Sequence, residues 1–396
     1  MLKQTLTSFA APLMLLPAAL AQDTGPIEAQ LDVESTVVVS PHIDSDANVD
    51  AEKILGEFSV MGNAETVLEN GVRVRARGTL RLQADHTGRA GGIGGFGNTK
   101  GAPVGAFSGL SLAPLNEDND IRGRLETAYL QIDGGYGEVR VGKDRGVAGR
   151  FFEGPKSALT HARLDSSLLD PTGLGATRTR HDVSGPSLKA SYASPRLIGL
   201  RAGVSVTPQA DADGLDRRPA AGTGGIAPKT RNVVELALNG TRRFRESGWR
   251  FDVGLGWSNA DVTTRSENDV LAPIYEDMQT WSAGTRIEKG DWTLGASWLN
   301  SDNGLPNGDY SSWSAGLFRE AYNIDFSAEY GESEDRNADL ESQGWRLSAG
   351  RNFGRDARVA VAYLHDDLQS PLQNWQAHGV VFEVTLSQEI VQVTGN

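Results

Sequence analysis

The sequence has no cysteine among its 396 residues, few histidines, and no long apolar run after its first 21 residues. Without cysteine the chain can form neither disulfides nor thiolate metal sites, and thiol catalysis is excluded. The six histidines show no metal-ligand spacing, and neither a G-x-S-x-G nor an H-E-x-x-H motif occurs. We therefore expect no metal, no cofactor and no enzymatic activity.

Positively charged residues are also few: the chain has 38 lysines and arginines against 51 aspartates and glutamates, which gives a net charge of −13. This balance disfavours a nucleic-acid partner. No segment of the mature chain approaches the ~18 apolar residues that a membrane-spanning helix needs. A closed β-barrel in a membrane is still compatible with the composition, since its strands alternate lipid-facing and lumen-facing residues.

The first residues have the pattern of a secretory signal. Lys3 precedes an apolar stretch, Leu6 to Leu20, and Ala19-Leu20-Ala21 forms an A-x-A cleavage site. We expect residues 1–21 to be removed after Ala21, which leaves residues 22–396 as one exported domain because no Pro/Ser-rich linker divides them.

Hairpin signals fill the mature chain. Asn70-Gly71 joins two alternating segments, and 47 glycines supply further turns. Alternation predicts sixteen strands, the first at residues 31–40 and the last at 376–390, with seven short turns alternating with eight longer loops. The sequence thus favours an all-β fold made of consecutive antiparallel strands.

The late strands show which side of the sheet is apolar. From Trp249 to Trp257 the apolar side chains alternate with polar ones, and an aromatic ring stands at each end. The rings are about 20 Å apart on a tilted strand, close to the ~25 Å apolar band of outer-membrane barrels. A soluble sandwich would place the same faces in its core. The signal segment and the strand count favour the barrel, whose charged inner face requires a water-filled lumen.

The segment from Arg124 to Gly154 resembles the hairpin that precedes the constriction loop in general porins of Gram-negative outer membranes. The resemblance is carried by Tyr129, Gly135-Tyr136-Gly137, Gly142-Lys143 and Glu153-Gly154, with Lys143 where that family more often has arginine. It implies a transmembrane antiparallel up-and-down β-barrel whose long third loop, residues 144–184, folds into the lumen. It also implies a homotrimer in outer-membrane lipid, a passage for small polar solutes and ions, and a latch from the loop at 87–120.

The same resemblance implies that acids on the infolded loop face basic residues on the barrel wall. By position, the acids are Glu153, Asp165 and Asp170, in a segment that also contains Arg163, Arg178 and Arg180. The basic residues of the wall are Arg73, Arg75, Arg77, Arg81, Arg122, Arg124, Arg140 and Lys143. Ion preference stays open, because the acidic total favours cations and the arginines favour anions.

Two other functions fit the same strands. One is a structural or adhesive outer-membrane barrel with a plugged lumen. The other, less favoured, is a barrel hydrolase whose serine, histidine and carboxylate meet only in the folded chain. The sequence also departs from the porin pattern at its end, because the last strand lacks the terminal aromatic residue on which that family usually ends.

Overall fold

The structure is a computed structural model that describes residues 25–45, 53–85, 103–110, 122–165, 169–210, 226, 228–264, 274–371 and 374–395. The predicted signal segment and most of the predicted latch loop lie outside the described residues. No helix in the described ranges has the length and hydropathy needed to cross a membrane.

Sixteen antiparallel strands close into a barrel, as the sequence predicts, and each strand is hydrogen-bonded to the two strands beside it. β16 returns to pair with β1, which completes the ring. One short helix, α1 (Val147–Arg150), follows β5. The strands are β1 (Ile27–Ser45), β2 (Ile54–Val67), β3 (Arg73–Ala84), β4 (Arg122–Gly134), β5 (Gly137–Asp144), β6 (Ser187–Ala193), β7 (Leu200–Gln209), β8 (Pro228–Arg243), β9 (Trp249–Thr264), β10 (Met278–Lys289), β11 (Trp292–Ser301), β12 (Tyr310–Ala321), β13 (Ile324–Asp335), β14 (Leu340–Phe353), β15 (Ala357–Gln369) and β16 (Asn374–Gly395).

Strand boundaries differ from the prediction where turn geometry or register decides them. The sequence starts the thirteenth strand at Tyr322, but Tyr322 and Asn323 have φ values of 55° and 58°. Both residues therefore form a tight hairpin turn, and β13 begins after them. β1 and β16 are longer than expected, because they pair from Ile27 opposite Gly395 onward, whereas β15 reaches only Leu386 of β16.

Side-chain exposure confirms which face is apolar. On β9, Leu255 is 47% exposed, whereas Asp252 and Ser258 are each 1% exposed. Trp292 and Trp298 on β11 are 45% exposed and face outward. Neighbouring aromatics gather at both ends of this face, with ring centroids 6.1 Å apart for Trp257 and Trp281 and 6.0 Å apart for Trp249 and Phe251. This distribution excludes the sandwich and fits a barrel with a lipid-facing belt.

A charge in the middle of this belt should destabilise the barrel. We expect Leu255→Lys to lower the free energy of unfolding by about 2 to 4 kcal/mol, because the ammonium group would face hydrocarbon at the bilayer midplane. Denaturant titration of the protein folded into lipid vesicles measures this change.

The matched control is Val391→Lys, since residue 391 lies in the part of β16 that extends beyond β15. Its cost should be about 0 to 1 kcal/mol, as for positions near the interface. Equal costs at the two positions would contradict the assignment of the belt.

Candidate functional site

The segment between β5 and β6, described at residues 145–165 and 169–186, contacts the polar face of most of the barrel. The backbone N–H of Val147 donates to Ser205 on β7 (3.2 Å), and that of Ala158 donates to Ser327 on β13 (2.9 Å). Backbone N–H groups at 160–162 reach Glu383 on β16. One segment can meet the same face of strands so far apart only from inside a closed barrel. The observed contacts therefore place it in the lumen.

Glycines on the inner face make room for the first half of this segment. A Cβ added to Gly295 of β11 would lie 2.6 Å from the Cα of Pro155, and one added to Gly316 of β12 would lie 2.8 Å from the Cβ of the same proline. At Gly284 of β10 an added Cβ would overlap the carbonyl oxygen of Glu153. A larger residue at any of these positions would collide with the segment. We refer to Gly284, Gly295 and Gly316 as the glycine track.

Carboxylates of the wall hold the segment by its backbone. Glu383 accepts hydrogen bonds from the N–H groups of Thr160 (2.6 Å), His161 (3.0 Å) and Ala162 (2.9 Å). Glu235 on β8 accepts from Ala148 at the start of α1 (3.4 Å) and from Ser205 (2.9 Å). Charge-assisted bonds of this kind are about twice as strong as neutral ones. These two inward-facing acids therefore anchor the segment and do not line an aqueous path.

Apolar packing fills much of the remaining interior. Leu159 and Leu169 of the segment pack against inward-facing Val38, Leu55 and Leu364 of the wall. A second cluster joins Leu174 and Val183 to Phe107 and Leu110 and to residues of β8–β16. Residues 103–110, the described part of the predicted latch loop, thus pack inside their own barrel, and the rest of that loop lies outside the described residues. The sequence did not indicate this packing, because Phe107 and Leu110 lie in a glycine-rich stretch without strand or helix periodicity.

The three predicted constriction acids have other contacts. Glu153 lies 3.2 Å from the Arg286 guanidinium and accepts a hydrogen bond from Asn239 (3.2 Å). Burial raises the pKa of the Glu153 carboxyl, and Arg286 opposes this effect. Asp165 accepts from the Thr179 N–H (3.0 Å), and Asp170 accepts from the Gly175 N–H (2.9 Å). Asp165 and Asp170 are almost fully buried, so they hold turns of the segment and face no open space.

His181 fixes the end of the segment to the opposite wall. Its two ring nitrogens lie 2.9 Å from the hydroxyls of Ser258 on β9 and Ser282 on β10. Burial lowers the pKa of the imidazole to about 4, although the charges of Glu235 and Asp182 favour protonation. The ring is therefore neutral at physiological pH and bridges the two serines.

A cavity of about 830 Å³ remains on the other side of the segment, against β1–β5 and the end of β16. It is lined by Arg77, Arg81, Arg124 and Arg140 of the predicted basic wall. Glu153, Asp165 and Asp170 are not among its lining residues, so the structure brings the basic residues together without the predicted acids. We refer to this space as the charged cavity.

The other predicted basic residues lie elsewhere. Arg73 and Arg75 share Glu65 at the short-turn end, where the Arg73 Nε lies 3.0 Å from that carboxylate. Alternation along β5 turns Lys143 to the same outer face as Val139 and Val141, which corrects its assignment to the pore wall. Arg122 lies on β4, and its side chain is outside the described part of the structure.

Sequence reasoning missed most of the charges that line the charged cavity. Its carboxylates are Asp32, Glu34, Glu126, Asp144, Asp182, Asp356 and Glu389. Its arginines are Arg77, Arg81, Arg124, Arg140, Arg145, Arg163, Arg178, Arg180 and Arg355. A register shift between β3 and β4 after Thr79 leaves both Glu126 and Thr127 facing the cavity. The described residues contain no group of His, Cys, Asp or Glu suited to a metal ion.

Filling the glycine track should displace the segment. We expect Gly284→Val to lower the free energy of unfolding by about 1 to 3 kcal/mol, the usual cost of overpacking. It should also speed amide hydrogen exchange at residues 151–162, because the Glu153 carbonyl must move away from the wall. The control Ala283→Val adds bulk at the next, outward-facing position and should leave this exchange unchanged. Equal protection in both variants would contradict the observed path.

Acid should loosen the His181 anchor. Because the pKa of the bound imidazole, about 4, lies below the ordinary 6.5, the detached ring binds more protons between these values. The attached state therefore loses stability as pH falls from 6.5 to 4, on the order of 1 kcal/mol per pH unit. Protection factors of the amides at 180–184, corrected for intrinsic exchange, measure the loss. His181→Gln should show much weaker pH dependence, and equal dependence in the variant would exclude His181 as the cause.

The chain can now be compared with known proteins. A family model described as Gram-negative porin matches residues 11–370, and no curated protein matches. Among solved structures, Pseudomonas putida OprB is 11% identical over 92% of this chain and 94% of its own, with a TM-score of 0.55. Salmonella typhi OmpF, solved with daunomycin, is 12% identical over 91% and 97%, with a TM-score of 0.53. The trimer form of Vibrio cholerae OmpT is 12% identical over 93% and 100%, with a TM-score of 0.51. The chain belongs to the Gram-negative porin family and forms an outer-membrane channel for the passive diffusion of solutes.

Proposed function

We propose that solutes cross this barrel through the charged cavity, between the infolded segment at 145–186 and the wall formed by β1–β5. The observation that carries this proposal is the distribution of space inside the barrel. Packed side chains occupy the β8–β16 side and reach Val38 of β1 and Leu55 of β2, whereas the rest of the β1–β5 side retains about 830 Å³ lined by charged groups. Charges are stable there only if water solvates them, so this side offers a hydrated path.

The constriction in this proposal is set by different residues from those the sequence suggested. Asp182 is the carboxylate of the infolded segment that faces the charged cavity, and Arg77, Arg81, Arg124 and Arg140 stand on the wall. Glu153 forms an ion pair with Arg286 on β10 and does not line the charged cavity. We therefore assign Glu153 to holding the segment and Asp182 to the solute path.

Catalysis is not part of the proposed function. The pair that most resembles a hydrolase site is His181 with Ser258 and Ser282. His181 is fully buried, and its imidazole pKa of about 4 makes it a poor general base at neutral pH. A substrate could not reach either serine without removing the segment. The contact therefore supports an anchoring role.

A homotrimer in outer-membrane lipid is part of the same proposal, and its support is membership of the porin family. The belt of exposed apolar side chains on the outer face can contact lipid or a second copy of the chain. Mass measurement of the detergent-solubilised protein would distinguish a trimer from a monomer.

Reconstitution tests the proposed path. Purified protein in a planar bilayer should give stepwise currents that rise linearly with voltage, because a hydrated path needs no gating event. Arg124→Trp should reduce the unitary conductance severalfold, since an indole would occupy the charged cavity. Arg336→Trp places the same ring at an exposed loop position and should leave the steps unchanged.

Silent bilayers despite confirmed insertion would instead favour a structural barrel with a plugged lumen. Steps of equal size in wild type and Arg124→Trp would show a conducting barrel whose path avoids the charged cavity.

A further inference from the structure

The charge of the charged cavity is opposite in sign to that of the chain. Nine arginines and seven carboxylates line it, a net charge of +2, whereas the whole chain has a net charge of −13. The infolded segment contributes Arg145, Arg163, Arg178 and Arg180 to the lining but one carboxylate, Asp182. The sequence predicted acids on this segment facing a basic wall. In the structure, the face of the segment that lines the charged cavity is instead mainly basic.

Carboxylates neutralise several of the arginines that line the charged cavity. Arg81 lies 2.7 Å from Glu126 and 3.3 Å from Glu57, and Arg140 lies 3.0 Å from Asp144. Arg145 is also paired with Glu126, at 3.0 Å. Positive charge at these positions is thus largely balanced within the protein.

Arg163, Arg178 and Arg180 differ from these pairs. Within the described ranges, none of the three has a carboxylate oxygen within 4.0 Å of a guanidinium nitrogen. Arg178 donates to the carbonyl oxygens of Phe107 (3.0 Å) and Ser108 (3.3 Å), which are neutral acceptors. The Nε of Arg180 is buried without a hydrogen-bond partner. Three guanidinium groups therefore direct positive charge toward the charged cavity.

The charge of Arg180 persists at neutral pH despite its surroundings. Burial and the positive charges of Arg145 and Arg163 lower the pKa of its guanidinium to about 10, although the charges of Asp182 and Asp165 oppose this shift. The group stays protonated at pH 7, where a nearby anion would reduce the cost of keeping these cations together. A mutual effect on the pKa also requires that Arg145, Arg163 and Arg180 lie close to one another.

We propose that Arg163, Arg178 and Arg180 form a binding site for small multivalent anions, solutes that carry two or more carboxylate or phosphate groups. This inference rests on the proposed path through the charged cavity and names the class of solute that the path selects. Guanidinium groups bind both oxyanions through paired N–H donors, and three of them match an anion with several charged groups. On the opposite wall, carboxylates compensate the charges of Arg81 and Arg140, so these residues add little attraction and bound solute can leave.

Block of monovalent current tests the site. Wild-type channels are recorded in about 0.1 M KCl, where charges interact over roughly 10 Å, while sodium citrate or sodium pyrophosphate is added on one side. Either anion should reduce the chloride-carried current at micromolar to millimolar concentrations, and reversal potentials in a KCl gradient should show preference for chloride. The more potent anion identifies carboxylate or phosphate as the preferred group.

Variants connect the block to these arginines. Arg163→Gln and Arg180→Gln should each weaken the block on the order of tenfold, the loss expected when one charge-assisted contact is removed. The control Arg336→Gln removes the same charge from an exposed loop position that pairs with Asp309 and does not line the charged cavity. Citrate and pyrophosphate should block this variant as they block the wild type. Step size in 1 M KCl, where charges are screened beyond about 3 Å, shows that each variant has folded.

The outcomes separate the inference from the proposed function. Conducting channels that prefer potassium, or that neither anion blocks, would overturn the anion site and leave the porin function intact. Block that is equal in wild type, Arg163→Gln and Arg180→Gln would also overturn it. Channels that do not conduct at all would contradict the proposed function itself.

Discussion

Pairing of β16 with β1 is the interaction on which the rest of the structure depends. It leaves no open sheet edge along the paired region, so that backbone N–H and C=O groups find partners within the ring, as a bilayer requires. Closure also gives the sheet one inside and one outside. Strand alternation then assigns every side chain to lipid or lumen, and a shift of one residue would exchange the two faces.

The polar inner face of the barrel is accommodated differently on its two sides. On the β8–β16 side, the segment at 145–186 and residues 103–110 cover the wall, with glycines and apolar residues where the surfaces touch. Wall carboxylates such as Glu235 and Glu383 are satisfied there by backbone N–H groups. On the β1–β5 side, charged groups face one another across the charged cavity. The interior of the sixteen-stranded barrel is therefore asymmetric, with packing on one side and the charged cavity on the other.

This arrangement explains why an acidic protein has an arginine-rich cavity. Inward-facing acids such as Glu383 and Glu235 anchor the segment. Their carboxylates accept hydrogen bonds away from the charged cavity. Arg163 and Arg180 of the segment make no ion pair within the described residues and line the remaining space. Net charge therefore describes solubility and long-range attraction, whereas the local pairing of charges decides which solutes are favoured in the lumen.

Local alternation and turn residues in the sequence were sufficient to determine the strands and their two faces. Asn70-Gly71, the spacing of Trp249 and Trp257 and the arginines of β3 depend on neighbours in the chain, and the barrel follows from them. The path of residues 145–186, the outward position of Lys143, and the partners of Glu153, Asp165 and Asp170 required the tertiary structure. Each depends on contacts between residues distant in sequence, such as Glu153 with Arg286 and His161 with Glu383. Local periodicity contains no information about which distant groups meet. The fold and the inward arginines of the wall could therefore be predicted from the sequence, but the partners of the acids could not.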